Sequence, residues 1–285
     1  MIRRKLFAFA LASMMAVALG AGETAAQAKE VTFEWLSWSV LRLTSPEGKV
    51  FLINPFVSNP FSPVKVGDFK KVDYILVSDG HGDEIGQSAQ IALNTGAKIF
   101  TSFTFSRGYF EPKKIPASQI FRGGPGSRFK VDGATVRIVT AVHGSTTRDG
   151  LSDGTAMGFF ITFSNELTVY FAGSTALTMD MQLWGRLYKP DVVILPVTPN
   201  TDPIDTVEMV KLLSTGNPNL KTVIPHHHNT GLKVTAKMPP ERARGIERRF
   251  NSGTNPADVG AALTAAGLPV TFLDPELSKV YELKK

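Results

Sequence analysis

The sequence predicts an α/β fold of two β-sheets packed face to face with helices outside. Three observations lead there. Segments of strand length alternate with helical segments through both halves of the chain. Some strands, Tyr74-Ile75-Leu76-Val77 among them, are unbroken apolar runs of the kind buried on both faces. No linker and no internal repeat divides residues 29–285, which are expected to form one domain.

The elements follow in order. Residues 31–35, 40–44 and 50–53 predict short antiparallel strands, the last two joined by the turn Ser45-Pro46-Glu47-Gly48. The run 74–77 predicts a buried strand. Ile85, Ala89, Ile91 and Ala92 then mark a helix over 84–95, with Gly96 as its stop. A strand is expected at 98–100. Val131, Val136 and Ile138 mark further strands, as do residues 159–163 and 167–171, with Asn165 in a hairpin turn. Helices at 179–187, 205–213 and 256–266 alternate with strands at 192–195, 222–224 and 270–273, and a strand at 280–283 closes the chain.

The 285 residues (30.9 kDa) are 43% hydrophobic and 20% charged, the make-up of a folded chain rather than a disordered one. The absence of cysteine excludes a disulfide scaffold, thiolate-held zinc, an iron–sulfur cluster and a cysteine nucleophile. Any metal must therefore be held by carboxylates and by the 5 histidines. The net charge is +6; Arg3, Arg4, Lys5 and Glu23 account for +2, leaving +4 on residues 29–285. So mild an excess does not imply a nucleic-acid partner. One basic run, Lys233, Lys237, Arg242, Arg244, Arg248 and Arg249, fits either a solvated loop or a flap that attracts an anionic small-molecule substrate.

Residues 1–28 predict a signal peptide. Arg3-Arg4-Lys5 is a positive n-region, residues 6–22 are apolar or small apart from Ser13, and Ala26-Gln27-Ala28 is a small-x-small cleavage site. Ala and Gly dilute the apolar run, which argues against a membrane span. The expectation is a periplasmic or secreted protein with no stable membrane anchor after cleavage.

Three polar clusters follow apolar strands. In Ser78-Asp79-Gly80-His81-Gly82-Asp83-Glu84, three carboxylates and one histidine lie close together, and the two glycines permit a sharp turn. Oxygen donors with imidazole can hold a divalent cation; the alternative is that Asp83 caps a helix and His81 lies on the surface. Val142-His143-Gly144 follows the apolar run 136–142. Pro225-His226-His227-His228-Asn229-Thr230 follows the strand at 222–224. Three adjacent histidines cannot all point one way, so either one faces a site and the others face out, or all three are polar loop residues. Together the clusters put all the histidines just past strand ends, where loops converge on sites, and that joint pattern indicates a metal site.

The order of these motifs resembles the metallo-β-lactamase superfamily and, within it, the ascorbate-6-phosphate lactonase-like branch of small bacterial metal-dependent hydrolases. The residues that carry the resemblance are Trp35-Leu36-Ser37-Trp38-Ser39, Ile53-Asn54-Pro55-Phe56, the segment from Ile75 to Gly86, Val142-His143, Tyr170-Phe171-Ala172-Gly173-Ser174-Thr175, Tyr188-Lys189-Pro190-Asp191 and the segment from Ile224 to Thr230. The resemblance implies a four-layer αββα sandwich of two mixed sheets with helices outside, and a site at one edge. The central family motif, His-x-His-x-Asp-His, has Asp79 at its first histidine and Glu84 at its last, with His81 and Asp83 retained. The bridging aspartate of the family is Ser174 here. The family's Gly-His-Ser and Ile-Asp-Pro-Phe motifs are Ser37-Trp38-Ser39 and Ile53-Asn54-Pro55-Phe56.

Carried over residue by residue, the resemblance implies one metal on Asp79, His81 and His143 and another on Asp83, Glu84 and His227, with Ser174, a weak ligand, between them. It further implies that Asp83 orients the attacking water or assists proton transfer. Exchanging imidazoles for carboxylates moves the donor set from zinc alone toward manganese, iron or magnesium. The function expected is an exported hydrolase that uses one or two divalent ions (Zn, Mn or Fe) on a small ester, lactone or phosphoester. The alternative is a catalytically impaired binding protein on the same fold, with an altered metal site.

Overall fold

The computed structural model describes residues 30–152, 154–228 and 254–285. The predicted signal peptide and the basic run 233–249 lie outside these residues. Fourteen strands form two sheets of seven among the described residues. The first has the order β14-β1-β2-β3-β4-β5-β6, from β1 (Val31–Trp35), β2 (Leu41–Thr44), β3 (Val50–Ile53), β4 (Tyr74–Leu76), β5 (Lys98–Thr101), β6 (Ile120–Arg122) and β14 (Val280–Leu283). The second has the order β13-β12-β11-β10-β9-β8-β7, from β7 (Arg128–Val131), β8 (Ala134–Thr140), β9 (Met157–Phe163), β10 (Thr168–Phe171), β11 (Val192–Pro196), β12 (Thr222–His226) and β13 (Thr271–Phe272).

Both sheets are mixed in the same way. Antiparallel pairing runs from β14 through β3 and from β7 through β10, and parallel pairing runs from β3 to β6 and from β10 to β13. The strand period of two sorts the side chains into layers. In β4, Tyr74 and Leu76 point between the sheets while Ile75 packs outward; in β11, Val192 and Ile194 point in and Val193 and Leu195 out. Three hydrophobic clusters result, one between the sheets and one under the helices of each outer face. They are the three interfaces of a four-layer αββα sandwich.

The outer layers hold helices α1 (Gly82–Ile85) and α2 (Ser88–Thr95) on the first sheet and α3 (Asp180–Tyr188), α4 (Pro203–Ser214) and α5 (Pro256–Ala265) on the second. The helix expected over 84–95 is thus two helices. Gly86 breaks it at φ 49°, and a Cβ there would sit 2.2 Å from the Pro55 carbonyl oxygen, so only glycine lets the two segments cross this closely. The three-residue strand Ile120–Arg122 and the helical turns Phe103–Phe105 and Ser106–Phe110 are additional elements. Among the described residues, no helix is long and apolar enough to cross a membrane.

Candidate metal centre

Parallel strands in each sheet end at the same edge, and their C-terminal loops carry the polar residues. Asn54 follows β3, Asp79 and His81 follow β4, Ser174 follows β10 and His227 follows β12. His143 comes three residues after the end of β8. Its loop is tied to that of Ser174, because the Val142 N–H donates to Thr175 Oγ1 (2.9 Å) and the Ala176 N–H donates to the Val142 carbonyl (2.9 Å). Gly173, at φ 66°, lets the chain turn there; a Cβ would lie 2.6 Å from the Met157 carbonyl oxygen. A bridge between Trp38 and His228, with the His227 N–H donating to the Trp38 carbonyl (3.0 Å), joins the loops of the two sheets across the edge.

The edge holds two adjacent groups. In the first, one carboxylate oxygen of Asp79 and one nitrogen each of His81 and His143 lie within 4.8 Å of one another. No other set of three His or carboxylate donors among the described residues does so. Asp79 is buried, and its Oδ1 accepts the His81 backbone N–H (2.9 Å) and sits 3.1 Å from His81 Nδ1. The His81 and His143 rings meet edge to face at 5.0 Å. Partial loss of hydration beside neighbouring protein atoms, then the His81 imidazole, holds the His143 pKa below its ordinary value although the residue is largely exposed, which keeps a lone pair available. The donor set suits a divalent ion. Donors around one tetrahedral ion with bonds of about 2.0 Å lie roughly 3.3 Å apart, against the 4.8 Å limit within which these three fall.

The second group centres on Glu84, which is fully buried. Its carboxylate accepts from Ser39 Oγ (2.8 Å), Ser174 Oγ (2.8 Å) and Asn54 Nδ2, and it lies 3.2 Å from His227 Nε2. Asp83 stands beside it. Asp83 Oδ2 accepts from Trp38 Nε1 (3.1 Å) and is 3.7 Å from His227 Nε2. Burial alone would lower the His227 pKa, but the hydrogen bond and charge of Glu84, reinforced by Asp83, outweigh it and raise the pKa. Both groups border a cleft of ≈ 740 Å³, whose walls include His81, Asp83, His143, Ser174, Trp38 and His227.

All seven residues singled out from the sequence meet at this edge, divided between the two groups. The histidine triplet is resolved differently from either expectation. His227 faces the cleft, while His226 packs on Phe171 (4.7 Å between rings) and His228 stacks on Trp35 (4.7 Å), so these two point into the packing and not outward. Burial pushes the His226 pKa well down and that of His228 down to about 3. Ser39, Asn54 and Trp38 belong to the group without having been named as site residues. Their signal was the altered Ser37-Trp38-Ser39 and Ile53-Asn54-Pro55-Phe56 motifs. Thr198 and Thr201, which also line the cleft, gave no signal beyond their place after a buried strand.

Comparison with known proteins gives a consistent picture. A sequence model described as the beta-lactamase superfamily domain matches residues 49–243. A protein of Caldivirga maquilingensis named UPF0173 metal-dependent hydrolase is 36% identical over 201 residues, covering 70% of this chain and 82% of its own. One of the same name from Chloroflexus aurantiacus is 34% identical over 210 residues, covering 71% and 84%. Among solved structures, a metallo hydrolase from the archaeon Ignicoccus hospitalis superposes with a TM-score of 0.68 at 25% identity, over 90% of this chain and 100% of that one. The isothiocyanate hydrolase from Delia radicum gut bacteria shares the fold, with a TM-score of 0.64 at 20% identity, over 88% and 99% of the two chains.

Proposed function

Because the chain belongs to the metallo-β-lactamase superfamily, we propose that it is a metal-dependent hydrolase acting on a small ester, lactone or phosphoester. Asp79, His81 and His143 would hold a divalent ion, zinc, manganese or iron. The observation that carries this reading is the convergence of those three donors within 4.8 Å, with His81 and His143 at the wall of the cleft. Three protein donors and one open position are the arrangement of a catalytic metal site. Such an ion, when bound, supplies Lewis acidity, which acidifies water toward neutral pH and draws charge from the scissile carbonyl or phosphoryl oxygen.

The chain's own residues supply positioning and proton transfer. Trp38 Nε1 holds one oxygen of Asp83 in place, so the carboxylate faces the cleft in a fixed orientation, suited to orienting the attacking water and taking its proton. A cleft of ≈ 740 Å³ matches a small substrate. The +4 charge of residues 29–285 and the basic run 233–249 favour an anionic one. The N-terminal pattern and the lack of cysteine support action in the periplasm or outside the cell.

A screen with bis(p-nitrophenyl) phosphate, p-nitrophenyl acetate and a γ-lactone tests the reading. The expected result is turnover of at least one substrate that disappears on chelation and in His143→Ala, and that returns to the wild type with added Mn or Zn. Turnover indifferent to both changes would overturn it. A second reading, a binding protein that has lost turnover, draws on Ser174 and Glu84 standing where the family pattern has aspartate and histidine. A bound ion with no turnover of any substrate would favour it.

A further inference from the structure

We propose that this chain holds one divalent ion and not a pair, because the position beside the Asp79–His81–His143 cluster is closed by a protein-only network centred on Glu84. The proposal rests on the metal site described under Proposed function. It concerns what fills the neighbouring half of the edge.

A carboxylate offers about four lone-pair sites. Those of Glu84 are met by Ser39 Oγ, Asn54 Nδ2, Ser174 Oγ and His227 Nε2, from four different loops. A cation taking Glu84 Oε2 as a ligand would have to displace Ser39 and Asn54, while Oε1 is held by Ser174 and His227 at the cleft wall. Ser39 and Asn54 are both fully buried, so their polar groups would lose an acceptor with no water to replace it. His227 Nε2 lies 3.2 Å from the same carboxylate, which fills the space in front of that nitrogen. Asp83, Glu84 and His227 are also not among the sets of three donors that lie mutually within 4.8 Å.

The direction of the Asn54 bonds is set from outside the network. Its Oδ1 accepts the Ser78 backbone N–H (3.0 Å), which leaves its amide nitrogen to donate to Ser78 Oγ (2.9 Å) and to Glu84. An aspartate at position 54 would set two buried carboxylates against each other, which like-charge repulsion disfavours. Asn54 and Glu84 are therefore matched. The backbone is matched as well. Trp38 (φ 55°), Asn54 (φ 47°) and His227 (φ 65°) are all held in the left-handed region, an uncommon conformation for residues with side chains. Such conformations persist where the surroundings over-determine them, and here each of the three side chains bonds to Glu84 or Asp83.

The test is a metal count on the full purified protein. Apo-protein is titrated with Mn or Zn by calorimetry, and loaded, dialysed protein is analysed by plasma mass spectrometry. The expected result is one ion per chain, with Glu84→Gln still binding one ion with a Kd within about threefold of the wild type. Two ions per chain in the wild type, or a loss of tenfold or more in affinity in Glu84→Gln, would overturn the proposal. No bound ion in the wild type would instead remove the metal site itself, so the two failures are distinct. The wild-type count decides the matter even if Glu84→Gln does not fold.

Discussion

Two clusters of ionisable side chains share one edge of the sandwich and are built in opposite ways. Asp79, His81 and His143 bring three donors together beside open space, and His143 is exposed with its pKa depressed. Glu84, with Ser39, Asn54, Ser174 and His227, turns its polar atoms on one another, and the carboxylate is sealed from solvent. The first set offers three donors from two loops, two of them at the cleft, whereas in the second the carboxylate oxygens of Glu84 are already filled by donors from four loops. On the proposed reading, the first cluster binds the ion and the second positions the loops around it.

Single substitutions should separate the two. The largest effect is expected for His143→Ala, which removes a donor from the open cluster. Its kcat/KM should fall by more than the roughly 10- to 100-fold that loss of an outer partner of a metal site produces, as read by steady-state kinetics. Its folding stability should stay within about 0.5 kcal/mol of the wild type, because the side chain is exposed. Glu84→Ala should do the reverse to stability. It leaves His227 and three donors facing a void, and urea denaturation should show a loss of about 3–5 kcal/mol. Equal stability losses in the two variants would erase the distinction.

Acid should act on the packing beneath the closed cluster. His226 and His228 are buried with depressed pKa values, that of His228 about 3. Below the ordinary histidine pKa of about 6.5 the unfolded chain takes up protons that the folded chain refuses, so stability falls as pH falls. Each histidine contributes a slope of up to about 1.4 kcal/mol per pH unit. Between about pH 6.5 and 5, above the usual carboxylate range, His228→Gln should show a shallower slope of unfolding free energy against pH than the wild type. The smallest effect is expected for Trp38→Phe. It keeps a ring beside His227 and removes the donor to Asp83, and should lower kcat by about tenfold or less with KM little changed.

Much of this was legible in the sequence, for physical reasons that also mark the gaps. Continuous apolar runs such as 74–77 and 192–195 announce strands buried on both faces, and they became the parallel centres of the two sheets. The break at Gly86 was hidden because its cause, the Pro55 carbonyl, lies about thirty residues away in the chain. Ile120–Arg122 is too short to show periodicity. The convergence of the three histidine-bearing clusters at one edge followed from their places after strands, whereas Ser174 and the choice of His227 among its neighbours came from the resemblance to the superfamily. The division into an open and a closed cluster came from neither. It depends on which hydroxyls and amides reach Glu84 from Ser39, Asn54 and Ser174, and side-chain reach across loops has no sequence period. The fates of His226, His227 and His228 likewise turn on one left-handed residue, His227, at the end of β12.

The most direct test of this division is anomalous diffraction at the metal edge from crystals grown with Mn or Zn. The account predicts a single peak within bonding distance of Asp79, His81 and His143, with the contacts from Ser39, Asn54, Ser174 and His227 to Glu84 intact. A peak between Glu84 and His227, or no peak beside His143, would contradict it.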